Sequence, residues 1–503
     1  MNNDTKFLDL PSLIGDLFAQ HGLQVDNLFA TLWTKMHIAT LLHRSGFHKR
    51  SGVEVTQVVY LLLLWVWLKT ESIGMFSREA MESFTDAKKD VMYDYLKRED
   101  VNWRRLHCQV AQQVVVGHKL NGQEIKAFVL DDSVKIRRGK KMAGVSCHFD
   151  HLTGRTVMGQ QVLTLGYATE EMFLPLDNQI YISQKNIQEP EQHFHDGRSI
   201  VAKRYRESLA MSKPEMAANM VNRALTKGFA ADYLLADAWF GNKTTLRLTQ
   251  ATDLTAILRM KKDKTLYRYS YYTKGERQTV MADAKELYSH HVRKQWQKIQ
   301  GSHYRYKALD VELNLSSSAK EEAQWVSYRL LFVKGTTGDD TETPGKHDWA
   351  LFLTTDTSME PNQILEIYAL RWGIEVYFKE SKRHLGLLKE QTHSFASHIA
   401  STHLAAIRFC LLIFAKQEGT GATASSIRNQ LVDGLVNLSF AKQLWMLFRA
   451  LIYNGLAGMK QQLGCSVDQV MDAIEERINH FFVQALQLDY FTLEQEAVNT
   501  GEL

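Results

Sequence analysis

The chain has 503 residues, too many for one typical domain, so two to four structural units are expected. With 45% apolar and 23% charged residues and only 6 prolines, it reads as a globular, helix-rich protein without long extended linkers. The formal charge of +4 is mildly basic, as a uniformly basic enzyme would also be, so only local clustering can point to nucleic acid.

The opening residues MNNDTKFLDL contain no basic stretch followed by an apolar run, so no signal peptide is expected. SLIGDLFAQHGL, VDNLFATLWTKMHIATLLHRSG and VTQVVYLLLLWVWLK repeat apolar residues at helical spacing, which predicts helices up to about residue 115. The run VVYLLLLWVWL is too short to span a bilayer and reads as a buried helix, so an intracellular protein without a membrane partner is expected. In KKDVMYDYLKREDVNWRRLHCQV, Lys88, Lys89, Lys97, Arg98, Arg104 and Arg105 alternate with Tyr93, Tyr95 and Trp103. Such a module fits a helical DNA-binding domain, and equally a bundle with a solvated basic face.

Near residue 125 the texture changes. KAFVLDDSV is an apolar strand ending on two aspartates, and GVSCHFDH, TVMGQQVLTLGYAT and FLPLDNQIYIS read as further strands. A helix KPEMAANMVNRALTKG, a strand DYLLADAWF, a helix NKTTLRLTQAT and a strand LTAILRM follow, the alternation of an α/β domain. From about 262 to 346 the pattern turns β-rich, basic and aromatic, as in TLYRYSYYTKG, HYRYKALDVELNL and WVSYRLLFVKG. The strand WALFLTTD then leads into YALRWGIEVYFKESKRH, read as one helix, and from about 396 the chain is helical again. Cys108, Cys147, Cys410 and Cys465 form no CxxC pair and read as reduced thiols.

Acidic residues at the carboxyl ends of apolar strands sit where α/β sheets gather active sites. Asp131, with Asp132, follows AFVL, and Asp237 follows YLLA; an Asp capping a strand-to-loop turn would look the same. Because strand side chains alternate, Asp131 and Asp132 point opposite ways; Asp131 is preferred, with Asp132 as the alternative. At about 100° per residue, Tyr368, Arg371, Glu375 and Lys382 fall in one helical stripe about 60° wide, with Trp372 and Phe378 beside it. A ladder of i,i+4 ion pairs on a solvated helix is the competing account. Joined to the two strand-end aspartates, Glu375 completes a carboxylate set suited to Mg²⁺, with Mn²⁺ as a substitute and two ions per site. Arg371 and Lys382 beside it would hold phosphates. The basic loop Lys135-Ile-Arg137-Arg138-Gly-Lys140-Lys141 follows the first Asp and is a candidate DNA contact. His148, Asp150 and His151 read as sheet residues, and His193 and His195 as loop residues, not as metal ligands.

Tyr368-x2-Arg371-x3-Glu375-x6-Lys382 resembles the Y-(2)-R-(3)-E-(6)-K signature of bacterial cut-and-paste DDE transposases of insertion-sequence family four. LDDS, LLADAWF and a long β-rich segment precede it in the family's order. The resemblance implies an RNase H-like α/β catalytic core interrupted by a β-rich insertion, with helical N-terminal and C-terminal domains. Asp131, Asp237 and Glu375 would be the catalytic, metal-binding triad; Arg371 and Lys382 would contact the transposon end. Tyr368 would contact the phosphate beside a base flipped out during hairpin formation, Trp372 matches an aromatic found in some relatives, and Trp349 would stack on the flipped base. Trp239 departs from the pattern, which has a small residue there.

The expected units are a helical DNA-binding domain over 1–115, a first core segment over 116–261, a β-rich insertion over 262–346, a second core segment carrying Glu375 over 347–395, and a helical, dimerising domain over 396–503. The expected activity is metal-dependent excision of a mobile element by strand cleavage, through a hairpin, and strand transfer into target DNA. A domesticated transposase or nuclease without integration, or a non-catalytic DNA-binding regulator, is the alternative. The partners would be double-stranded DNA, as terminal inverted repeats and target, and a second copy of the chain in the DNA complex. The expected location is the bacterial cytoplasm, with the nucleoid.

Overall fold

The computed structural model describes residues 28–139, 141–150, 154–184, 187, 193–299, 304–316, 321–335, 349–416, 423–458, 466–472 and 474. Among the described residues, six α-helices come first: α1 (Leu28–Lys35), α2 (Ile38–Arg44), α3 (Val55–Leu64), α4 (Ile73–Glu79), α5 (Asp90–Leu96) and α6 (Trp103–Gly117). An apolar residue on every side buries α3 on every side. Tyr95 and Trp103, in the segment predicted to face DNA, are core residues with 2% and 1% exposure, and Trp103 packs edge-on to Phe47. Their size and low polarity put them inward; Lys88, Lys89, Lys97 and Arg105 remain on the surface.

The sheet is built around β1 (Ala127–Ile136). The strands β2 (Ser146–Asp150), β3 (Arg155–Ala168) and β4 (Phe173–Tyr181) follow, with β3 antiparallel to β1 and both β2 and β4 antiparallel to β3. Helices α7 (Ile200–Ala210) and α8 (Lys213–Thr226) then return the chain to β5 (Tyr233–Ala236), parallel to β1. The start of α8 is set by a capping box, Ser212 with Glu215, and by a proline in its first turn. Helix α9 (Lys243–Thr252), capped by Asn242, leads to β6 (Thr255–Arg259), parallel to β5.

The segment from β7 (Tyr267–Thr273) and β8 (Glu276–Ala282) through α10 (Ala284–Leu287), β9 (Gln297–Lys298), β10 (Arg305–Asn314) and β11 (Trp325–Lys334) to β12 (Trp349–Thr354) extends the same sheet. β12 lies antiparallel to both β6 and β11, giving the order β2-β3-β1-β5-β6-β12-β11-β10-β7-β8, with β4 on β3 and β9 on β10.

The stretch read as one helix is two, α11 (Pro361–Ala369) and α12 (Trp372–Arg383). At the join, Leu370 and Arg371 donate their amides three residues back, to Ile367 and Tyr368. The reason lies in packing. A Cβ on Gly373 would stand 2.5 Å from the Cβ of Phe173, so the backbone of α12 rests directly on β4. Beyond it, α13 (Phe395–Phe414) is long and apolar enough by composition to cross a bilayer, yet it is buried from Phe395 to Ile413 as the central helix of this fold. Helix α14 (Ala424–Gly458) closes the described chain but for a short piece near Val467. One apolar core runs continuously from Phe29 through the sheet to Leu438. The last predicted helix, VDQVMDAIEERINHFFVQALQ, lies mostly outside the described residues.

Candidate active site

Strands β1 and β5 run parallel, with Leu130 paired to Ala236. Every residue from Ala127 to Leu130 and from Leu234 to Ala236 is fully buried and apolar, so each strand is held as a core element up to the residue before its acid. Asp131 and Asp237 are the next residues in that register. They stand side by side where the β1–β5 pairing ends. Strand β1 itself runs on past Asp131 to Ile136 against β3, so the expectation of a strand ending on its aspartate holds for β5 and not for β1.

Asp131 accepts a hydrogen bond at Oδ2 from Arg371 Nη1 at 2.8 Å and one at Oδ1 from the Asp132 amide at 2.8 Å. Asp237 Oδ1 accepts from the Trp239 amide at 2.9 Å, which turns the chain away from the strand. Burial, then repulsion from Asp237, push the Asp131 carboxyl up to about 7 against the pull of Arg371.

Asp132 faces the other way. Its Oδ1 accepts from Gln161 Nε2 at 2.5 Å and its Oδ2 from Lys213 Nζ at 2.7 Å. The Lys213 ammonium in turn lies 3.7 Å from the centre of the Trp239 ring.

Arg371, at the N-cap of α12, is the hinge of the arrangement. While Nη1 holds Asp131, Nη2 bonds the carboxylate of Glu375 one turn along. Tyr368 sits before the helix break; its hydroxyl donates to the carbonyl of Ala236 at 3.4 Å, and its ring meets Phe352 edge-on at 4.8 Å. Burial pushes that hydroxyl up to about 12, so it stays a donor. Lys382 is half-buried near the end of α12, and Trp372 is 66% exposed beside Arg371.

Other residues read as DNA contacts are placed differently. Trp349 is a core residue, 7% exposed, stacked face to face on Tyr288 at 4.6 Å with Lys262 Nζ 4.2 Å from its ring centre. Arg137 is turned inward as well, because β1 carries it beneath the loop before α13. Its Nε donates to Gln160 Oε1 at 2.8 Å and its Nη1 to the Glu390 carbonyl at 3.0 Å. Arg138 and Lys141 are exposed; Lys140 lies outside the described residues. His148 is a buried sheet residue sharing a 3.0 Å hydrogen bond with Ser146, and His151 lies outside the described residues.

Three carboxylates are the hard oxygen donors that Mg²⁺ or Mn²⁺ takes. In kind they fit such an ion; in arrangement they fit it only in part. Asp131 and Asp237 adjoin, but Glu375 is tied to the far side of the Arg371 guanidinium. Among the described residues, no three Asp, Glu, His or Cys side chains are grouped as a metal would need. The sequence reading missed both the bridging of two acids by Arg371 and the Lys213–Asp132 pair. The i,i+4 spacing does signal the Arg371–Glu375 half of the bridge, as the ion-pair account expected, but neither its reach to Asp131 nor the Lys213 pair, since β1 is far from both residues in the chain.

Residues 69–313 match the family model described as DDE superfamily endonuclease. The match supports a DDE-type transposase or nuclease. It implies an RNase H-like core, which the mixed sheet β4-β3-β1-β5-β6 lies within, and DNA as substrate; enzymes of the DDE superfamily generally use divalent metal ions. The matched region contains Asp131 and Asp237 and ends before Glu375. No curated protein matches the chain.

Proposed function

We propose that the chain is a DNA transposase that excises a mobile element by strand cleavage and inserts it by strand transfer, with Asp131, Asp237 and Glu375 as its catalytic carboxylates. One observation carries this reading: two aspartates stand side by side where the β1–β5 pairing ends, and α12 brings the Arg371–Glu375 turn against them. The orientation of the two supports Asp131 as the first acid of the triad, since Asp131 adjoins Asp237 and the Arg371–Glu375 turn whereas Asp132 faces away, toward Gln161 and Lys213. Trp372, exposed at the edge of the site, is the better placed aromatic for stacking on an unpaired base. Arg138, Lys141 and Lys382 would hold phosphates, and Tyr368 would fix α11 to the end of β5 while facing the substrate. A divalent ion, Mg²⁺ or Mn²⁺, would supply Lewis-acid stabilisation and an activated water or 3′-hydroxyl at such a site.

A hairpin on the element end, a second copy of the chain holding the other end, and a cytoplasmic, nucleoid-associated location belong to the same proposal. The exposed Leu447, Phe448 and Leu451 of α14 support a contact between copies. The test is incubation of the full chain with a duplex bearing the element end, Mg²⁺ and a target plasmid. Nicking, hairpin formation and joined product are expected from wild type, and none from Asp237→Ala. Cleavage without any joined product would mark a nuclease. Equal cleavage by Asp237→Ala would remove the catalytic assignment.

A further inference from the structure

We propose that Arg371 is the resident cation of the metal-free site: its guanidinium holds Asp131 and Glu375 apart from a metal until a backbone phosphate of bound DNA takes it away. The inference rests on the carboxylate reading above and explains why the three acids do not converge here. One fork spans two acids on different elements, with Nη1 on Asp131 Oδ2 at 2.8 Å and Nη2 on Glu375 Oε1. Its planar, five-donor head presents two separate nitrogens in a fixed fork, whereas a lysine ammonium is a compact point charge that cannot reproduce that geometry.

The site needs such a cation when empty. Asp131 is only 18% exposed and stands beside Asp237, and the Arg371 side chain that neutralises it is 17% exposed. The rest of the cradle is fixed. Strand β1 is anchored by its buried apolar run, and α12 by Gly373 on Phe173 and by the buried Ile374 and Tyr377. The movable parts are therefore side chains: Arg371, which leaves from the N-cap of α12 and is 17% exposed, and Glu375, which is 38% exposed.

An ion held by Asp131 and Glu375 would compete with Arg371 for their carboxylates, so metal affinity would fall by the fraction of time the fork is in place. A DNA phosphate is a bidentate acceptor that matches the freed fork. Metal and DNA then favour each other's binding, by the same factor in each direction. In its absence the protein keeps its carboxylates closed by its own side chain.

The test is Mn²⁺ binding to the DNA-free full chain, read by the loss of the free-ion electron paramagnetic resonance signal. Wild type, Arg371→Ala and Arg371→Lys are compared. Arg371→Ala is expected to bind Mn²⁺ about tenfold more tightly than wild type, the effect of a fork in place roughly nine-tenths of the time. Arg371→Lys, which keeps the charge but cannot span both acids, is expected to fall between them. If Arg371→Lys matched wild type while Arg371→Ala bound more tightly, charge alone would be the cause and the bridging claim would fall. Equal affinity in all three would overturn the competition and leave the metal site standing. No Mn²⁺ bound by any of them would overturn the metal reading and this inference together.

Discussion

Replacing Asp177 by Asn tests the polar core beneath the site. Asp177 lies on β4, 5% exposed, and accepts from Arg104 Nε at 2.9 Å and from Arg223 Nε and Nη2 at 3.0 and 2.7 Å. Behind it, Arg204 Nη1 lies 2.8 Å from His403 Nε2, His403 Nδ1 lies 3.1 Å from His107 Nδ1, and His107 Nε2 lies 2.9 Å from the Pro175 carbonyl. The carbonyl can only accept, so His107 donates to it and accepts from His403, which accepts from Arg204. Both imidazoles are then neutral, in keeping with burial, which pushes His107 down to about 4 and His403 well below its usual range. Asp177 is left as the carboxylate bonded to this group of arginines. Burial would raise it, yet Arg104, Arg223 and Arg204 outweigh burial and hold it down at about 2. The gap from the ordinary 3.8, at about 1.36 kcal/mol per pH unit, is on the order of 2–3 kcal/mol. Asn keeps the shape, so no cavity forms, but the mostly buried Arg104 loses its counter-ion, which typically costs about 3–5 kcal/mol. Arg223 is 38% exposed and recovers some solvation, so about 3 kcal/mol is the expected loss. The assay is the urea midpoint at pH 7, with a pH series. A depressed carboxyl contributes stability that is complete above about pH 4 and lost as pH falls toward about 2. Wild type should lose stability across that window and Asp177→Asn should not. A variant within about 0.5 kcal/mol of wild type at pH 7 would refute the reasoning.

Asp131 carries the opposite sign. Its carboxyl is raised to about 7, so its contribution to the metal-free protein is present below about pH 4 and lost as pH rises to about 7. Asp131→Asn should flatten that part of the pH–stability curve while abolishing cleavage. Gly373→Ala forces a Cβ to within 2.5 Å of Phe173, which should cost about 1–3 kcal/mol in thermal unfolding and, by tilting α12, more in cleavage rate than in stability. Trp349→Ala should destabilise by about 3–5 kcal/mol, as a core truncation does. Trp372→Ala, at a side chain 66% exposed, should leave the unfolding midpoint unchanged and weaken binding of a duplex with an unpaired base by about 1–3 kcal/mol in a fluorescence titration.

The two aspartates were legible because each follows a short apolar run and breaks it with a charge. The run alone does not name a strand, since VVYLLLL is the buried helix α3, and β1 continues past Asp131 to Ile136. The capped helices were legible for similar local reasons, as with Ser212, Pro214 and Glu215 at the start of α8. What escaped were decisions made by distant partners. The β-rich segment continues the central sheet because Leu258 pairs with Leu353, a contact that no local pattern encodes. The helix break at Arg371 has αR angles on both sides, so propensity gives no warning; only the close approach of Gly373 to Phe173 accounts for it. Arg137 and Trp349 were read from their chemistry, basic loop and aromatic platform, whereas Gln160, Glu390 and Tyr288 decide where they point.

The doubled aspartate shows how two identical residues acquire different tasks from the pleat alone. Alternation sends Asp131 toward Asp237 and Arg371 and Asp132 toward Gln161 and Lys213. Lys213 opens α8, and its ammonium is held between the Asp132 carboxylate and the Trp239 ring, with a side chain only 7% exposed. A small residue at 239 would leave that cation only the more distant Tyr181 ring, 5.5 Å away. Trp239 and Asp132 thus act on one cation. Together they pin the start of α8 to the strand pair that presents Asp131 and Asp237, so the unusual residues brace the carboxylates without touching them.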